Sequence, residues 1–183
     1  MEKDVLDAKP DFALIEFGGN DSDYDWDRVT QAPTEMHQPK VELREFEALL
    51  RDLIRTLNEH GVTPILFTLL PAGAEQYIHW LTKDAPDKRS QIIDYLGGIQ
   101  NLADFHLLYD AVIRKVARET GTGTIDIRQS MMGEKGDYLK YFCVDGVHPN
   151  EEGHSFFARI ILDFFKENYP ALLKTEMRQM RMG

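Results

Sequence analysis

Three short apolar runs, each followed by turn residues and separated from the next by long helix-patterned segments, constrain this chain most tightly. Residues 12–17 (Phe12-Ala13-Leu14-Ile15-Glu16-Phe17) run into Gly18-Gly19, residues 63–70 end at Pro71, and residues 123–127 form the third. Runs this short and this apolar suit strands buried on both faces of a parallel sheet. Between them the apolar period becomes that of a helix. Residues 41–60 set Leu43, Phe46, Leu49, Leu50, Leu53, Ile54 and Leu57 on one stripe, which Gly61 stops. Residues 99–120 repeat the spacing with Leu102, Phe105, Leu108, Tyr109, Val112, Ile113 and Val116, ended by Gly121. Residues 150–169 bring Phe156, Phe157, Ile160, Ile161, Phe164 and Phe165 to the core before Pro170. Two shorter helices, 74–81 and 87–96, are expected between Pro71 and Gly98. Strands alternating with helices define an α/β fold. With no internal repeat, low-complexity tract or linker, the 183 residues read as one domain, 1–183, with 170–183 as a tail.

Charge narrows the partners. The 21 basic and 31 acidic residues leave a net charge of -10, the wrong sign for a phosphate-backbone binder. It also disfavours anionic membranes, apart from a small basic stretch at residues 174–181. No apolar run reaches the roughly 20 residues that span a bilayer. The first residues lack the basic-then-apolar layout of a signal peptide. Cys143 is the only cysteine, which fits a reducing cytoplasm, and its Tyr-Phe-Cys-Val context predicts a buried filler.

The chemistry concentrates in two turns. Asp145-Gly146-Val147-His148-Pro149-Asn150 puts a carboxylate three residues before an imidazole, where a helix opens. Asp145 can accept from one ring nitrogen of His148 and stabilise the imidazolium, leaving the other nitrogen as a general base. The same pattern alone is equally a helix-start turn; its place after the last strand favours catalysis, because working residues of open α/β sheets gather at carboxyl ends of strands. Gly18-Gly19-Asn20-Asp21 also follows a strand. Its glycines let backbone approach a ligand and the Asn20 amide can donate to a developing oxyanion, although a plain Gly-Asn turn reads the same way. Asp21 is expected to cap or brace that loop. His154 is expected to pack structurally, His60 to cap a helix end, and His37, His79 and His106 to take surface or core roles. Tyr77 and Trp80 are candidates for the wall of an acyl pocket.

These two blocks, in this order and at strand ends, resemble the SGNH hydrolases, the GDSL-like esterase and lipase superfamily. Gly18-Gly19-Asn20-Asp21 is similar to the family's third block, and Asp145-Gly146-Val147-His148-Pro149 to its fifth. The resemblance covers nearly all of the chain. It implies a flavodoxin-like three-layer α/β/α sandwich around a five-stranded parallel sheet. It also implies a serine nucleophile with Asp145 and His148 as triad partners, Asn20 in the oxyanion hole, and neither metal nor organic cofactor. One departure is large: the family's Gly-Asp-Ser turn and its second-block glycine should both precede Lys9-Pro10. Ser22 mimics the nucleophile turn from within the third block, and Ser90, Ser130 and Ser155 match no family position. Residues 2–8 read as the last turns of a helix, and three strands are few for a sheet. The expectation is therefore an N-terminally truncated sheet of about three strands, whose apolar edge 12–17 pairs with a second copy of the chain or aggregates.

Three functions follow from these readings. The first is a serine ester hydrolase acting on a small ester, inactive as given for want of its nucleophile. The second is a non-catalytic interaction module. The third, a metallophosphoesterase, needs Asp and His ligands on several strand ends, and no second set is found. Selectivity would lie in residues 22–38 and 71–98; the acidic, aromatic stretch with Tyr24 and Trp26 suits a small polar ester better than an anionic lipid.

Overall fold

A computed structural model describes residues 3–134 and 137–172; the basic stretch 174–181 and the tail from residue 173 lie outside the described residues. Strands β1 (Phe12–Ile15), β2 (Thr63–Phe67) and β3 (Gly123–Ile125) form one sheet in chain order. Both pairings are parallel, with Phe12 opposite Thr63 and Ile65 opposite Gly123. This is an α/β fold, with its three parallel strands in simple succession and helices between them.

Helices cover both faces. On one, α2 (Leu43–Glu59) and α5 (Gln100–Thr120) pack Phe46, Leu50, Ile54, Tyr109, Ile113 and Val116 against Ile15 and Leu66. On the other, α6 (Ile127–Gly133) and α7 (Glu151–Asn168) bring Met131 and Phe156 to Ile65 and Ile125. A third, smaller cluster joins α1 (Trp26–Gln31), α3 (Ala74–Leu81) and α4 (Asp87–Leu96) through Trp26, Val29, Ile78 and Ile92.

The strands stop earlier than their apolar runs. Thr68 N–H still reaches the Ile125 carbonyl at 3.1 Å, but Leu69 N–H turns away to the Asp110 carboxylate at 2.9 Å. Beyond Ile125 the chain starts α6 at once, because Asp126 accepts from Gln129 N–H and caps it. β1 ends before Gly18, which turns the chain at φ 118°. The expected helical tail before β1 is only a 3-10 turn, Leu6–Ala8, closed by Lys9 at φ 48°. Leu49 and Leu108 are exposed rather than in the core stripes. At 100° per residue, each sits about 90–100° round from the centre of its helix's buried face, so both are shoulder positions. Cys143 is also exposed, not a buried filler, because the turn carrying it runs along the surface.

Among the described residues, β1 has a strand neighbour on one side only. Leu14 is 43% exposed and Phe17 57%, so apolar surface borders that open edge.

Candidate active site

The turn before α7 is built by short-range geometry. Gly146 adopts φ 72°, which lets its N–H reach the Cys143 carbonyl at 3.0 Å. Cys143 N–H donates to the His148 carbonyl at 2.8 Å, and Asn150 caps α7 by accepting from Gly153 N–H at 3.0 Å. Asp145 is held within this frame. Its Oδ1 accepts from Val147 N–H and His148 N–H, both at 3.0 Å. Its Oδ2 lies 2.8 Å from His148 Nδ1, which fixes the proton there and leaves Nε2 as the lone-pair nitrogen of the neutral ring. The Asp145 side chain is 12% exposed and that of His148 75%. Burial works to raise the Asp145 pKa, but the two backbone N–H groups and the imidazole outweigh it and hold the carboxyl below its ordinary value.

The loop after β1 is equally ordered. Gly18 N–H donates to Asp21 Oδ2 at 2.7 Å, so Asp21 braces the loop. A Cβ on Gly18 would approach Leu69 and Phe46, which adds a packing reason for glycine to the backbone one. Ser22 is buried, and its hydroxyl donates to the Gly19 carbonyl at 2.9 Å. The Asn20 side chain has no protein partner among the described residues and is exposed at the cavity wall.

Both turns open onto one cavity of about 640 Å³. Gly18, Gly19, Asn20, Asp21 and His148 line it, so the structure brings the sequence candidates together; Asp145 stands behind His148. Tyr77 and Trp80 form part of its wall, stacked with ring centroids 6.4 Å apart. His154 lines it as well, exposed rather than packed away, with its ring edge-on to Phe157.

Two lining residues were not singled out from the sequence. Glu16 follows β1; burial pushes its carboxyl up, with His148 pulling the other way. His106 lies on α5, and burial, helped by Arg128 and opposed by Asp110, lowers its pKa to about 4. The signal for His106 was present: at helical spacing it falls on the same face as Tyr109 and Ile113, a polar residue on a buried stripe. His60 does cap its helix, through Nδ1 and the Thr56 carbonyl at 2.8 Å. Among the described residues, no group of three or more His, Cys, Asp or Glu is arranged to hold a metal ion. None of their helices is long and apolar enough to cross a membrane.

An imidazole–carboxylate pair and a free amide thus share a cavity at the strand ends of an α/β fold of the GDSL-hydrolase type. The chain belongs to the GDSL-like lipase/acylhydrolase family, whose model matches residues 1–156. A lipase/acylhydrolase from Enterococcus faecalis shares the fold at TM-score 0.61 and 20% identity, over 91% of this chain and 66% of that one. An acetylxylan esterase from Geobacillus stearothermophilus matches at TM-score 0.58 and 25% identity, over 89% of this chain and 63% of its own. A catalytic serine-to-alanine mutant of that esterase matches at TM-score 0.54 and 28% identity, over 89% and 63%. The chain therefore spans slightly under two thirds of the length of these structures. No curated protein matches it.

Proposed function

We propose that this chain carries the base, the orienting acid and one oxyanion donor of a serine ester hydrolase acting on a small ester. The observation that carries this reading is the His148 Nδ1–Asp145 Oδ2 bond of 2.8 Å at a cavity that Asn20 also lines. His148 Nε2 would take the nucleophile's proton and return it to the leaving alcohol, while Asp145 stabilises the imidazolium. Asn20 would donate to the oxyanion. No metal or organic cofactor enters these steps.

None of the four serines is poised as the nucleophile. Ser22 alone lines the cavity, and its hydroxyl is committed to the Gly19 carbonyl. Ser90 and Ser130 bond to the Asp87 and Asp126 carbonyls. Ser155 faces a separate recess with Glu151 and Arg159. The chain as given is thus read as the acid–base side of the site without its nucleophile.

Fluorophosphonate labelling with the adduct mapped by peptide mass spectrometry, beside titration with short neutral esters, tests this. The expected result is ester binding at the cavity with no adduct. A stoichiometric adduct on Ser22 that disappears in His148→Ala would make the chain a working esterase and overturn the missing-nucleophile part. Absence of ester binding by folded protein would overturn the esterase reading.

A second reading, a non-catalytic interaction module, is favoured by the open β1 edge with its exposed Leu14 and Phe17. Self-pairing of that edge into a homo-oligomer belongs to either reading; a strictly monomeric mass by light scattering counts against it. A cytoplasmic location is proposed from the single, free cysteine. A nucleic-acid or membrane partner is disfavoured by the net charge of -10.

A further inference from the structure

The cavity wall beyond the dyad is aromatic and aliphatic, with Tyr24, Trp26, Tyr77, Trp80, Leu102 and Phe105 among its residues. Within that lining His106 is anomalous. Its Nδ1 is buried and has no hydrogen-bond partner, and no protein partner is found for Nε2 among the described residues. The side chain is nevertheless anchored on α5, next to Phe105, whose ring lies 5.4 Å from Tyr24 and 5.6 Å from Tyr109. One turn further along α5, Asp110 accepts from Leu69 N–H and from Arg114, which ties down the loop of Leu69 and Leu70 that also lines the cavity. Arg128 holds the Leu70 carbonyl of that loop at 3.1 Å.

A neutral imidazole has one N–H and one lone pair to place. A buried N–H without an acceptor is rarer and costlier than an under-satisfied acceptor. Nδ1, sealed and unpartnered, therefore keeps the lone pair, and the proton sits on Nε2. Burial and the nearby Arg128 cation keep the ring neutral, with the pKa lowered to about 4, so this tautomer persists at physiological pH. The result is a fixed donor beside the aromatic and aliphatic side chains of this wall, where a ligand lacking an acceptor would bury an N–H with nothing to bond.

We infer that His106 is a specificity-determining residue of this ester site: its Nε2–H donates to an oxygen on the substrate part held by the aromatic wall, so that esters bearing an ether or ring oxygen are preferred to their all-carbon isosteres. This rests on the esterase reading of the same cavity and adds to it a substrate class, small esters of oxygen-bearing alcohols. The preference is set by an acceptor on the substrate, not by charge, so anionic head groups gain nothing from it.

The test is a two-ligand, two-protein cycle with tetrahydropyran-4-yl acetate and cyclohexyl acetate, which differ by one ring oxygen against a methylene. Dissociation constants are measured by NMR titration of the whole chain and of His106→Phe, with His106→Gln as a donor-retaining control. In His106→Phe the preference should move toward cyclohexyl acetate by about 3- to 10-fold, the size of one neutral hydrogen bond, and His106→Gln should restore part of it. Ring ¹⁵N shifts of the unsubstituted protein should report the Nε2–H tautomer, with Nε2 perturbed by the tetrahydropyranyl ester only. If both esters bind at Trp80 and His148 with an unchanged preference in His106→Phe, or if the proton is on Nδ1, the inference fails and the esterase reading stands. If neither ester perturbs the cavity, both fall together.

Discussion

The two sides of β2 contrast sharply. Toward β3 the polar groups of the loops are matched: Arg114 bridges Asp110 at 2.7 Å and Asp126 at 2.8 Å. Asp126 also accepts from the Thr68 hydroxyl at 3.1 Å, and Thr68 in turn accepts from Arg128 N–H. Toward β1 the matched groups lie within the loop that follows the strand, where Asp21 accepts from Gly18 N–H at 2.7 Å and Asp23 from Trp26 Nε1 and Lys40, and the edge of β1 is bordered by exposed Leu14 and Phe17. The dyad turn and α7 follow β3, on the matched side, whereas the Asn20 loop leaves the open one. The difference teaches that the base and its orienting acid are fixed mainly by contacts within the chain's last third, with Gly73 N–H donating to the Gly146 carbonyl at 2.9 Å from outside it, while the oxyanion loop is braced from within by Asp21.

The contrast breaks most readily at Arg114. Arg114→Met leaves Asp110, nearly inaccessible, without its cation and should cost about 3 kcal/mol, the low end for a broken pair because Arg114 is about a third exposed. A shift in the urea midpoint measures this; an unchanged midpoint would mean that the matched side owes its order to packing alone. Next comes Gly153→Ala, whose Cβ would stand 2.2 Å from the Tyr141 carbonyl oxygen. It should destabilise by about 2 kcal/mol and shift the His148 resonances, because α7 would be pushed off the dyad turn.

A more gradual effect concerns pH. The native pKa of His106 is about 4 against 6.5 ordinarily, so the unfolded chain binds its proton first. Stability should therefore fall as pH drops from 6.5 toward 4, by at most about 1.4 kcal/mol per unit from this residue. His106→Phe should flatten that limb in pH-dependent urea melts, and an equal slope in both proteins would refute the buried neutral ring. Asp126 acts lower. Burial works to raise its pKa, but Arg114 and the Gln129 N–H hold it below 3.8, so its contribution is intact above 3.8 and disappears as pH falls through the native value. The smallest change is Leu14→Lys on the open side. It should alter stability by no more than about 0.5 kcal/mol yet lower the light-scattering mass if β1 edges pair.

Much of the fold was legible because apolar period is a local property. Helices α3 and α4 fall where the residues place them, and the other long helices differ by one or two end residues. The short helices α1 and α6 were not legible, since each is set by one carboxylate cap, Asp25 or Asp126, rather than by a repeating stripe. The exposure of Cys143 escaped for a related reason: its neighbours Tyr141 and Phe142 are buried, but the turn points the thiol outward.

In the site, the spacing Asp145-x-x-His148 largely determined its own geometry, because a three-residue turn with glycine at φ 72° closes through contacts no more than a few residues apart. Asp21 as the brace of Gly18 was similarly local. The sequence by itself thus decided the α/β class, the principal helices and the dyad. Only the tertiary structure decided that Asn20 and His148, 128 positions apart, line one cavity, that the Ser22 hydroxyl is occupied, and that a helix-borne His106 lines the same cavity with its Nδ1 buried and unpartnered. Those facts depend on which helix faces cross above the strand ends, and such long-range packing leaves no periodic trace in the order of residues.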